Sequence, residues 1–258
     1  MSPLLTYYNI AYDVTAFSTT RHGGESKGSY GCMNINSYCG DSLEAVAVNR
    51  RLLAEELNIS EQCVVVPHQV HGVACKEITD DFFNLSKSDQ ANFLDEIDGI
   101  MTRCKNVCIG VSTADCIPIL LYDKLNHAAA AVHAGWRGTV RYIARKAVED
   151  MKDAFGTLPE NIMAMIGPGI SLENFEVGQE VYDAFAASGH NMDAIAAKFG
   201  KWHLNLSLSN KLQLENMGVK PTNIIVSDIC TYDAVNDYFS ARRLGIASGR
   251  IYTGIILR

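Results

Sequence analysis

Residues Val107–Lys152 read VCIGVSTADCIPILLYDKLNHAAAAVHAGWRGTVRYIARKAVEDMK, and this stretch decides the fold class. Three apolar runs come first, each with the length and the β-branched or small side chains typical of strands. An amphipathic stripe with apolar residues three and four apart starts just after Gly138, which is typical of a helix packed on a core. We therefore predict a helix over Thr139–Lys152 and neighbouring strands of one sheet over Val107–Val111, Ile117–Tyr122 and Ala128–Val132.

The chain on both sides of this stretch continues the alternation of strands and helices. Ser42–Leu57 has apolar residues at helical spacing behind the capping residues Asp41 and Ser42, which predicts a helix. Thr79–Ile97 is polar and aromatic without a clear period, so we expect a long excursion there. The other predicted elements are a strand at Cys63–Val66 in the same sheet, strands at Ile162–Ile166, Asn223–Ile229 and Arg250–Leu257, and helices near Val177–Ala186 and Leu206–Met217.

Composition bounds the class of protein. The sequence shows no repeat, low-complexity tract or linker, which favours one α+β domain over residues 1–258, with mixed β-sheets flanked by helices and an open strand order. A net charge of −7 gives no electrostatic footprint for nucleic acid or an anionic membrane. The eight cysteines follow no disulfide-scaffold spacing, and no apolar run approaches the roughly 20 residues of a membrane span. We expect a reduced, cytoplasmic protein that acts on small molecules.

Three motifs place a histidine or cysteine where an apolar run meets a Gly- or Pro-rich bend. They are PHQVHG (Pro67–Gly72), STADC (Ser112–Cys116) and VHAGWRG (Val132–Gly138). Such bends are where a rigid scaffold presents side chains to ligands. Two imidazoles and a thiolate suit zinc, and a fourth position left free makes a zinc site catalytic rather than structural. The sequence therefore predicts a metal centre with one ligand from each motif.

The ligand in the first motif is the least certain, since His68 and His71 face opposite ways if the backbone is extended. Pro67 bars a central strand from continuing through the motif, and Gly72 makes His71 the more approachable of the two. The alternative interpretation is that both are ordinary surface or hydrogen-bonded histidines. For an isolated cysteine such as Cys116, the corresponding alternative is a small buried core residue.

STADC places several polar groups inside a strongly apolar stretch. Burying such groups unpaired costs roughly 2–7 kcal/mol on transfer scales, so the cluster of Ser112, Thr113 and Asp115 indicates a ligand site. Asp115 is a candidate to orient a ligating imidazole or to act as a general base. The alternative is that the hydroxyls only close a turn.

HAGWRGT joins a predicted strand to a predicted helix and suits an anion. Backbone N–H groups and the positive end of the helix dipole point at such a junction, and Arg137 adds a fork-shaped donor for phosphate or carboxylate. The alternative is a tight turn in which Trp136 covers the core and Arg137 pairs with a surface acid.

Two Gly-rich loops add weaker binding candidates. TRHGG (Thr20–Gly24) contains Arg21, and GSYGCMNIN (Gly28–Asn36) contains Asn34. Both loops suit the lining of a pocket, although such clusters are more often ordinary turns. We therefore add Arg21 and Asn34 to the candidate substrate-binding or phosphate-binding residues.

The ordered set of motifs resembles a known family. The chain carries TRHGG, HQVHG, DGIMT, TADC, HAGWRG, IGPGI, FEVGQEV and CTY…YFSARR. From about Phe17 to the C-terminus this set resembles the YfiH/YlmD-type family, also called the polyphenol oxidase or laccase-domain family. The resemblance implies that His71, Cys116 and His133 form the catalytic, metal-binding trio and that the metal is zinc. It also implies a likeness to the cysteine hydrolase fold of the cytotoxic necrotizing factor toxins.

The resemblance further implies an activity on purine nucleosides with phosphate as co-substrate. The implied reactions are phosphorolysis of adenosine, inosine, guanosine or methylthioadenosine and hydrolytic deamination of adenosine. Arg137 and Arg21 are then candidates to position phosphate, and Asp115 and Glu176 are candidates to move a proton. One departure is Phe175, which stands where many relatives carry tyrosine.

Three alternatives remain open at this point. Seven histidines are too few for the trinuclear cluster of a true laccase, although copper could enter a zinc site adventitiously. A metal-free amidase linked to cell-wall peptide quality control could use Cys116 as nucleophile and His133 as base. A non-catalytic metal-binding protein could use the same trio. The sequence leaves the preferred nucleoside and the oligomeric state undetermined.

Overall fold

Two large β-sheets form the centre of the computed structural model, which describes residues 2–258. The strands of the described residues are β1 (Leu5–Tyr8), β2 (Val14–Thr19), β3 (Val64–Val65), β4 (Cys75–Ile78), β5 (Gly99–Thr102), β6 (Cys108–Thr113), β7 (Ile117–Asp123), β8 (Ala128–Ala134), β9 (Ile162–Ile166), β10 (Glu176–Val177), β11 (Ala196–Phe199), β12 (Lys201–Leu204), β13 (Ile224–Val226) and β14 (Ile251–Leu257). The helices are α1 (Leu43–Glu56), α2 (Lys87–Phe93), α3 (Trp136–Val140), α4 (Ile143–Phe155), α5 (Gln179–Ala187), α6 (Met192–Ile195), α7 (Leu206–Asn216) and α8 (Ala241–Leu244).

The sheets mix parallel and antiparallel pairing. The five-stranded sheet has the order β1-β2-β14-β6-β3, and only its β3–β6 pair is parallel. The six-stranded sheet has the order β13-β9-β7-β8-β5-β4, with parallel pairs at its two edges. A small antiparallel sheet, β10-β12-β11, completes the fold. The architecture is α+β with mixed sheets, as predicted.

The two large sheets pack face to face over a shared apolar layer. Leu120 and Tyr122 of β7 lie in this layer, whereas Ile119 and Leu121 on the opposite face pack beneath α4 and α7. Because β7 is buried on both faces, its sequence is continuously apolar instead of alternating. The outer face of the five-stranded sheet is covered by α1 through Leu53. The order of layers is therefore helix, sheet, sheet, helices.

Several predicted elements occur close to their predicted bounds. The helix predicted over Ser42–Leu57 is α1, and the hydroxyl of Ser42 caps it by accepting a hydrogen bond from the backbone N–H of Ala45 at 3.3 Å. The helix predicted to stop at Gly218 is α7, and Gly218 has a left-handed φ of +98°. The remaining predicted strands correspond to β3, β6, β7, β8, β9, β13 and β14, and the other predicted helix corresponds to α5.

The prediction that these neighbouring strands form one sheet is wrong. β3 and β6 lie in the five-stranded sheet, while β7 and β8 lie in the six-stranded sheet. The chain crosses between layers at Ala114–Cys116, where Asp115 has a φ of +85°. β6 finds its main partner in β14 at the far end of the chain, a pairing that local sequence patterns do not encode.

Two further predictions are corrected in detail. The helix predicted over Thr139–Lys152 is interrupted, because Tyr142 adopts a left-handed φ of +62° between α3 and α4. The ring of Tyr142 stacks on that of His190 with centroids 4.4 Å apart. The excursion predicted at Thr79–Ile97 contains a 3₁₀ helix and α2, which Ser86 caps by accepting from the N–H of Asp89.

The described residues contain no helix that is both long enough and apolar enough to cross a bilayer.

Candidate metal centre

The three motifs converge on one cluster. His71 lies in the loop between β3 and β4, Cys116 immediately precedes β7, and His133 lies on β8. Antiparallel pairing of β7 with β8 sets Pro118 opposite His133, and this brings the adjacent Cys116 close to that histidine. One potential ligand atom from each residue lies within 4.8 Å of the others, and Cys116 Sγ is 3.8 Å from His71 Nε2. The structure thus brings together the predicted trio.

The donor atoms of this cluster fit a borderline-soft divalent metal. Two imidazole nitrogens and one thiolate sulfur form a common zinc ligand set, and a site with three protein ligands leaves a position for water or substrate. The burial of the trio is graded, since His133 is buried, Cys116 is half-buried and His71 is exposed. The cluster therefore has one side in the protein interior and one side open to solvent.

Asp98 ties the two histidines together. Its side chain is fully buried, and Oδ1 accepts hydrogen bonds from His133 Nδ1 at 2.7 Å and from the backbone N–H of His71 at 2.9 Å. Oδ2 accepts from the backbone N–H groups of Gly72 at 2.6 Å and Val70 at 3.2 Å. With Nδ1 of His133 donating to a carboxylate, Nε2 is the nitrogen left for a ligand.

The pKa of Asp98 reflects these contacts. Burial favours the neutral carboxyl, but the hydrogen bonds from His133 and the backbone N–H groups outweigh burial and lower the pKa. The sequence analysis assigned Asp98 no role. The available signal was the DGIMT motif, in which this acid directly precedes the apolar strand β5.

Cys116 and His133 also shift one another. Burial alone would raise the pKa of the thiol and lower the pKa of the imidazole. In the metal-free chain, the imidazole of His133 nevertheless lowers the pKa of Cys116, and the resulting thiolate together with Asp98 raises the pKa of His133. The pair therefore favours a thiolate beside an imidazolium, so the sulfur is already in the form that binds metals and attacks electrophiles.

A cavity of about 340 Å³ opens beside the trio. It lies between the ends of the two large sheets and the C-terminal loops. A larger cavity of about 590 Å³ adjoins it at Tyr38 and contains none of the trio. No aspartate or glutamate is among the described residues that line the smaller cavity, which are Asn36, Tyr38, Cys39, His68, Gln69, His71, Ser112, Thr113, Ala114, Cys116, His133, Ala241, Ile246 and Arg250.

The other histidine of the first motif lies at the edge of this cavity. His68 stacks on Tyr38 with ring centroids 4.5 Å apart, and its Nδ1 is 2.6 Å from Asp95 Oδ1. It is not part of the His71–Cys116–His133 cluster. The structure thus separates a cavity-wall histidine from the histidine of the cluster.

Asp115 faces away from the cluster. Its Oδ1 accepts from the hydroxyl of Thr231 at 2.8 Å, and its Oδ2 accepts from the backbone N–H of Arg242 at 2.7 Å. Both carboxylate oxygens thus anchor C-terminal segments of the chain, and Asp98 occupies the position beside the imidazole that the sequence suggested for Asp115. The other proton-transfer candidate, Glu176, is paired with Lys201 at 2.7 Å outside the cavity lining.

The predicted anion-binding residues lie outside the lining of the cavity. Arg21 donates from Nε to the carbonyl of Gly31 and from NH1 to the carbonyl of Val235, so it braces two loops. Asn34 is buried, and its side-chain oxygen accepts from the backbone N–H of Arg250. The third candidate is exposed.

That third candidate is Arg137, whose guanidinium lies over the ring of Trp136 at 4.3 Å. It has no ion pair with a surface acid among the described residues. Its predicted role in anion binding stays a prediction.

Comparisons with known proteins agree with the arrangement of motifs. A family model described as multi-copper polyphenol oxidoreductase laccase matches residues 15–258. The chain is 42% identical over 257 residues to a purine nucleoside phosphorylase of Bacteroides thetaiotaomicron, covering 98% of this chain and 94% of that protein. It is 39% identical to adenosine deaminase RL5 of an unknown prokaryotic organism, covering 94% and 93% of the two chains. The crystal structure of YlmD from Geobacillus stearothermophilus superimposes with a TM-score of 0.89 at 30% identity, covering 97% and 94%.

Proposed function

We propose, from the premise that this chain belongs to the multi-copper polyphenol oxidoreductase laccase family, that it is a zinc-dependent purine nucleoside phosphorylase that also deaminates adenosine. The observation that carries the proposal is the convergence of His71, Cys116 and His133 on one cluster beside a cavity free of carboxylates. Relatives at 42% and 39% identity bear the names of these two activities. Residues 1–258 would act as one catalytic domain on adenosine, inosine, guanosine or methylthioadenosine.

The trio would hold the metal, with the sulfur of Cys116 and one nitrogen each from His71 and His133 as ligands. Zinc bound there would supply Lewis acidity, the chemistry that activates water near neutral pH. Asp98 would keep the proton of His133 on Nδ1 and hold the backbone of the 70–72 loop, so that both imidazoles are oriented before substrate arrives. Copper would be an adventitious occupant of the same ligands.

The two reactions make different demands on the cavity. In phosphorolysis, a phosphate oxygen forms a bond to C1′ of the ribose while the C1′–N9 bond breaks, and the purine leaves with a proton. In deamination, the oxygen of water replaces the amino group at C6 and ammonia leaves. Both require a purine nucleoside held in a fixed pose, and the ring of His68 stacked on Tyr38 gives one wall of the cavity an aromatic surface.

Metal analysis and product analysis together test the proposal. The purified protein should contain about one zinc per chain, and incubation with adenosine should be followed with and without phosphate. Adenine that appears only with phosphate reports phosphorolysis, inosine reports deamination, and hypoxanthine reports both in sequence. A protein that binds zinc but converts none of the four nucleosides would refute the proposal and favour a non-catalytic metal-binding role.

A second candidate function rests on the thiolate–imidazolium pair. Cys116 beside His133 is also the arrangement of a cysteine amidase that needs no metal. Iodoacetamide distinguishes the two: a free catalytic thiolate is alkylated quickly, whereas a zinc-bound sulfur is protected until a chelator removes the metal. Fast alkylation of zinc-supplemented protein, together with hydrolysis of peptide amides, would favour the amidase.

A further inference from the structure

Two hydroxyl groups at the floor of the cavity have no hydrogen-bond partner. Ser112 and Thr113, at the end of β6, are 4% and 1% exposed. Neither Ser112 Oγ nor Thr113 Oγ1 bonds to another atom of the described residues, although both residues line the cavity that contains the trio. Burying a hydroxyl without a partner destabilises a protein, so two adjacent examples beside a cavity point to a ligand that pairs with them.

The backbone at this position is held firmly while the hydroxyls stay free. Gln69 accepts from the N–H of Ser112 at 2.7 Å and donates to its carbonyl at 2.8 Å. The side-chain amide thus continues the hydrogen-bond pattern beyond β3, whose pairing with β6 ends at Ile109. The hydroxyl of Ser112 is therefore not needed to satisfy its own segment of backbone.

The charge of the surrounding wall favours an anion. Arg250 lines the cavity, and its guanidinium bonds the backbone carbonyls of Ile246, Ser248 and Gly249. No carboxylate forms an ion pair with Arg250 in residues 2–258. A cationic side chain without an acidic partner, in a cavity without carboxylates, attracts an oxyanion in a chain whose net charge is −7.

We propose that the hydroxyls of Ser112 and Thr113, together with the charge of Arg250, form the binding site for the phosphate co-substrate. The inference rests on the proposed phosphorylase function and deepens it. A phosphate oxygen only accepts hydrogen bonds, and both hydroxyls can donate. A sugar hydroxyl also donates, and sites built for it commonly offer a carboxylate acceptor, which this cavity lacks.

Binding of inorganic phosphate to the zinc-loaded protein, without any nucleoside, tests the site directly. Calorimetric titration should give a phosphate Kd at least ~10-fold weaker in Ser112→Ala and in Thr113→Val than in the wild-type protein, as expected for losing a hydrogen bond to a charged group. Because each change removes an unpaired buried hydroxyl, neither should lower the melting temperature. Thr113→Ser keeps the hydroxyl and should retain wild-type affinity.

Thr102→Val is the matched control. Thr102 is also a strand threonine that is 1% exposed, but its hydroxyl donates to the carbonyl of Ile78 at 2.6 Å and lies outside the cavity lining. This variant should melt at a lower temperature and bind phosphate normally. The control therefore separates loss of a buried hydroxyl from loss of the anion site.

The outcomes distinguish this inference from the proposed function. Wild-type protein that binds no phosphate, or Ser112→Ala and Thr113→Val variants that bind it as well as wild type, would overturn the site. Phosphate binding that depends on the hydroxyls, in a protein that converts no nucleoside, would leave the site standing and refute the phosphorylase. Should one variant fail to fold, the comparison of Thr113→Val with Thr113→Ser, or of Ser112→Ala with wild type, still decides the question.

Discussion

Replacing Asp98 with asparagine should damage both the stability and the metal affinity of this protein. The carboxylate accepts four hydrogen bonds, two on each oxygen. Asparagine has nearly the same shape but offers one acceptor oxygen and one NH₂ donor. The substitution therefore removes acceptors without creating a cavity, which isolates the electrostatic role of the side chain.

Either orientation of the new amide leaves a mismatch. If its oxygen faces His133 and the N–H of His71, its NH₂ points at the N–H groups of Val70 and Gly72, and donor faces donor. If the amide is flipped, its NH₂ donates to His133 Nδ1, which moves the proton of that ring to Nε2, the nitrogen needed for the metal. Both orientations should weaken metal binding.

The magnitude follows from the number of lost contacts. Two hydrogen bonds to a charged, buried acceptor are lost in each orientation, at about 1.5–3 kcal/mol each, so we expect a loss of about 3–5 kcal/mol in the free energy of unfolding. Loss of a carboxylate that orients a ligating histidine typically weakens metal binding ~10- to 100-fold. Urea unfolding of the metal-free protein and competition with a zinc chelator measure the two effects separately.

Asp95→Asn provides the matched control in the same segment of chain. Asp95 also pairs with a histidine, at 2.6 Å from His68, but its side chain is 57% exposed. An exposed pair of this kind contributes at most about 1 kcal/mol. A finding that Asp98→Asn unfolds and binds zinc as Asp95→Asn does would refute the reasoning.

Three further variants test other parts of the structure. Asp115→Asn tolerates the left-handed backbone there but loses one of two bonds that anchor residues such as Arg242, so we expect about 1–3 kcal/mol lower unfolding free energy and unchanged zinc affinity; a loss of turnover beyond ~100-fold in stably folded protein would restore Asp115 as a catalytic group. Asp123 is buried, but hydrogen bonds from the side chain and backbone of its turn outweigh burial and lower its pKa; its contribution to stability should therefore be complete above the unfolded-state pKa of about 3.9 and disappear as the pH falls through the lower folded-state pKa, so urea unfolding should show Asp123→Asn destabilised at pH 7 and the difference from wild type shrinking below about pH 4. Cys116→Ala should abolish nucleoside turnover with circular dichroism unchanged, whereas His68→Ala should reduce turnover mildly; equal losses would mean that the cavity wall matters as much as the metal ligand.

The sequence predicts those features of the fold that depend on neighbours along the chain. The bounds of α1 follow from its cap at Ser42 and from its apolar spacing, both of which are local. The partition of β6 and β7 into different sheets could not be predicted, because it depends on the pairing of β6 with β14 and on the left-handed turn at Asp115. Both features are consequences of contacts made only after the chain has folded.

The site shows the same division between local and distant information. Each ligand of the trio could be proposed because it stands at a bend next to an apolar run. Arg21 and Asn34 were equally plausible from composition, but their polar atoms are taken up by backbone groups of neighbouring loops. The number of hydrogen bonds that a side chain has already made cannot be counted from the sequence, and this number decides whether it remains available to a ligand.

The acid beside the metal centre is fixed by strand register instead of proximity in sequence. Asp115 is adjacent to Cys116, yet the turn directs its carboxylate elsewhere, while Asp98 is 35 residues from His133. The antiparallel pairing of β5 with β8 sets Gly99 opposite Val132, so the next residues outward, Asp98 and His133, meet as cross-strand neighbours. A slip of one residue in this register would place the carboxylate and the imidazole on opposite faces of the sheet. The metal centre therefore depends on the correct pairing of two strands in the six-stranded sheet, and substitutions that shift this register should abolish zinc binding even where all three ligands are retained.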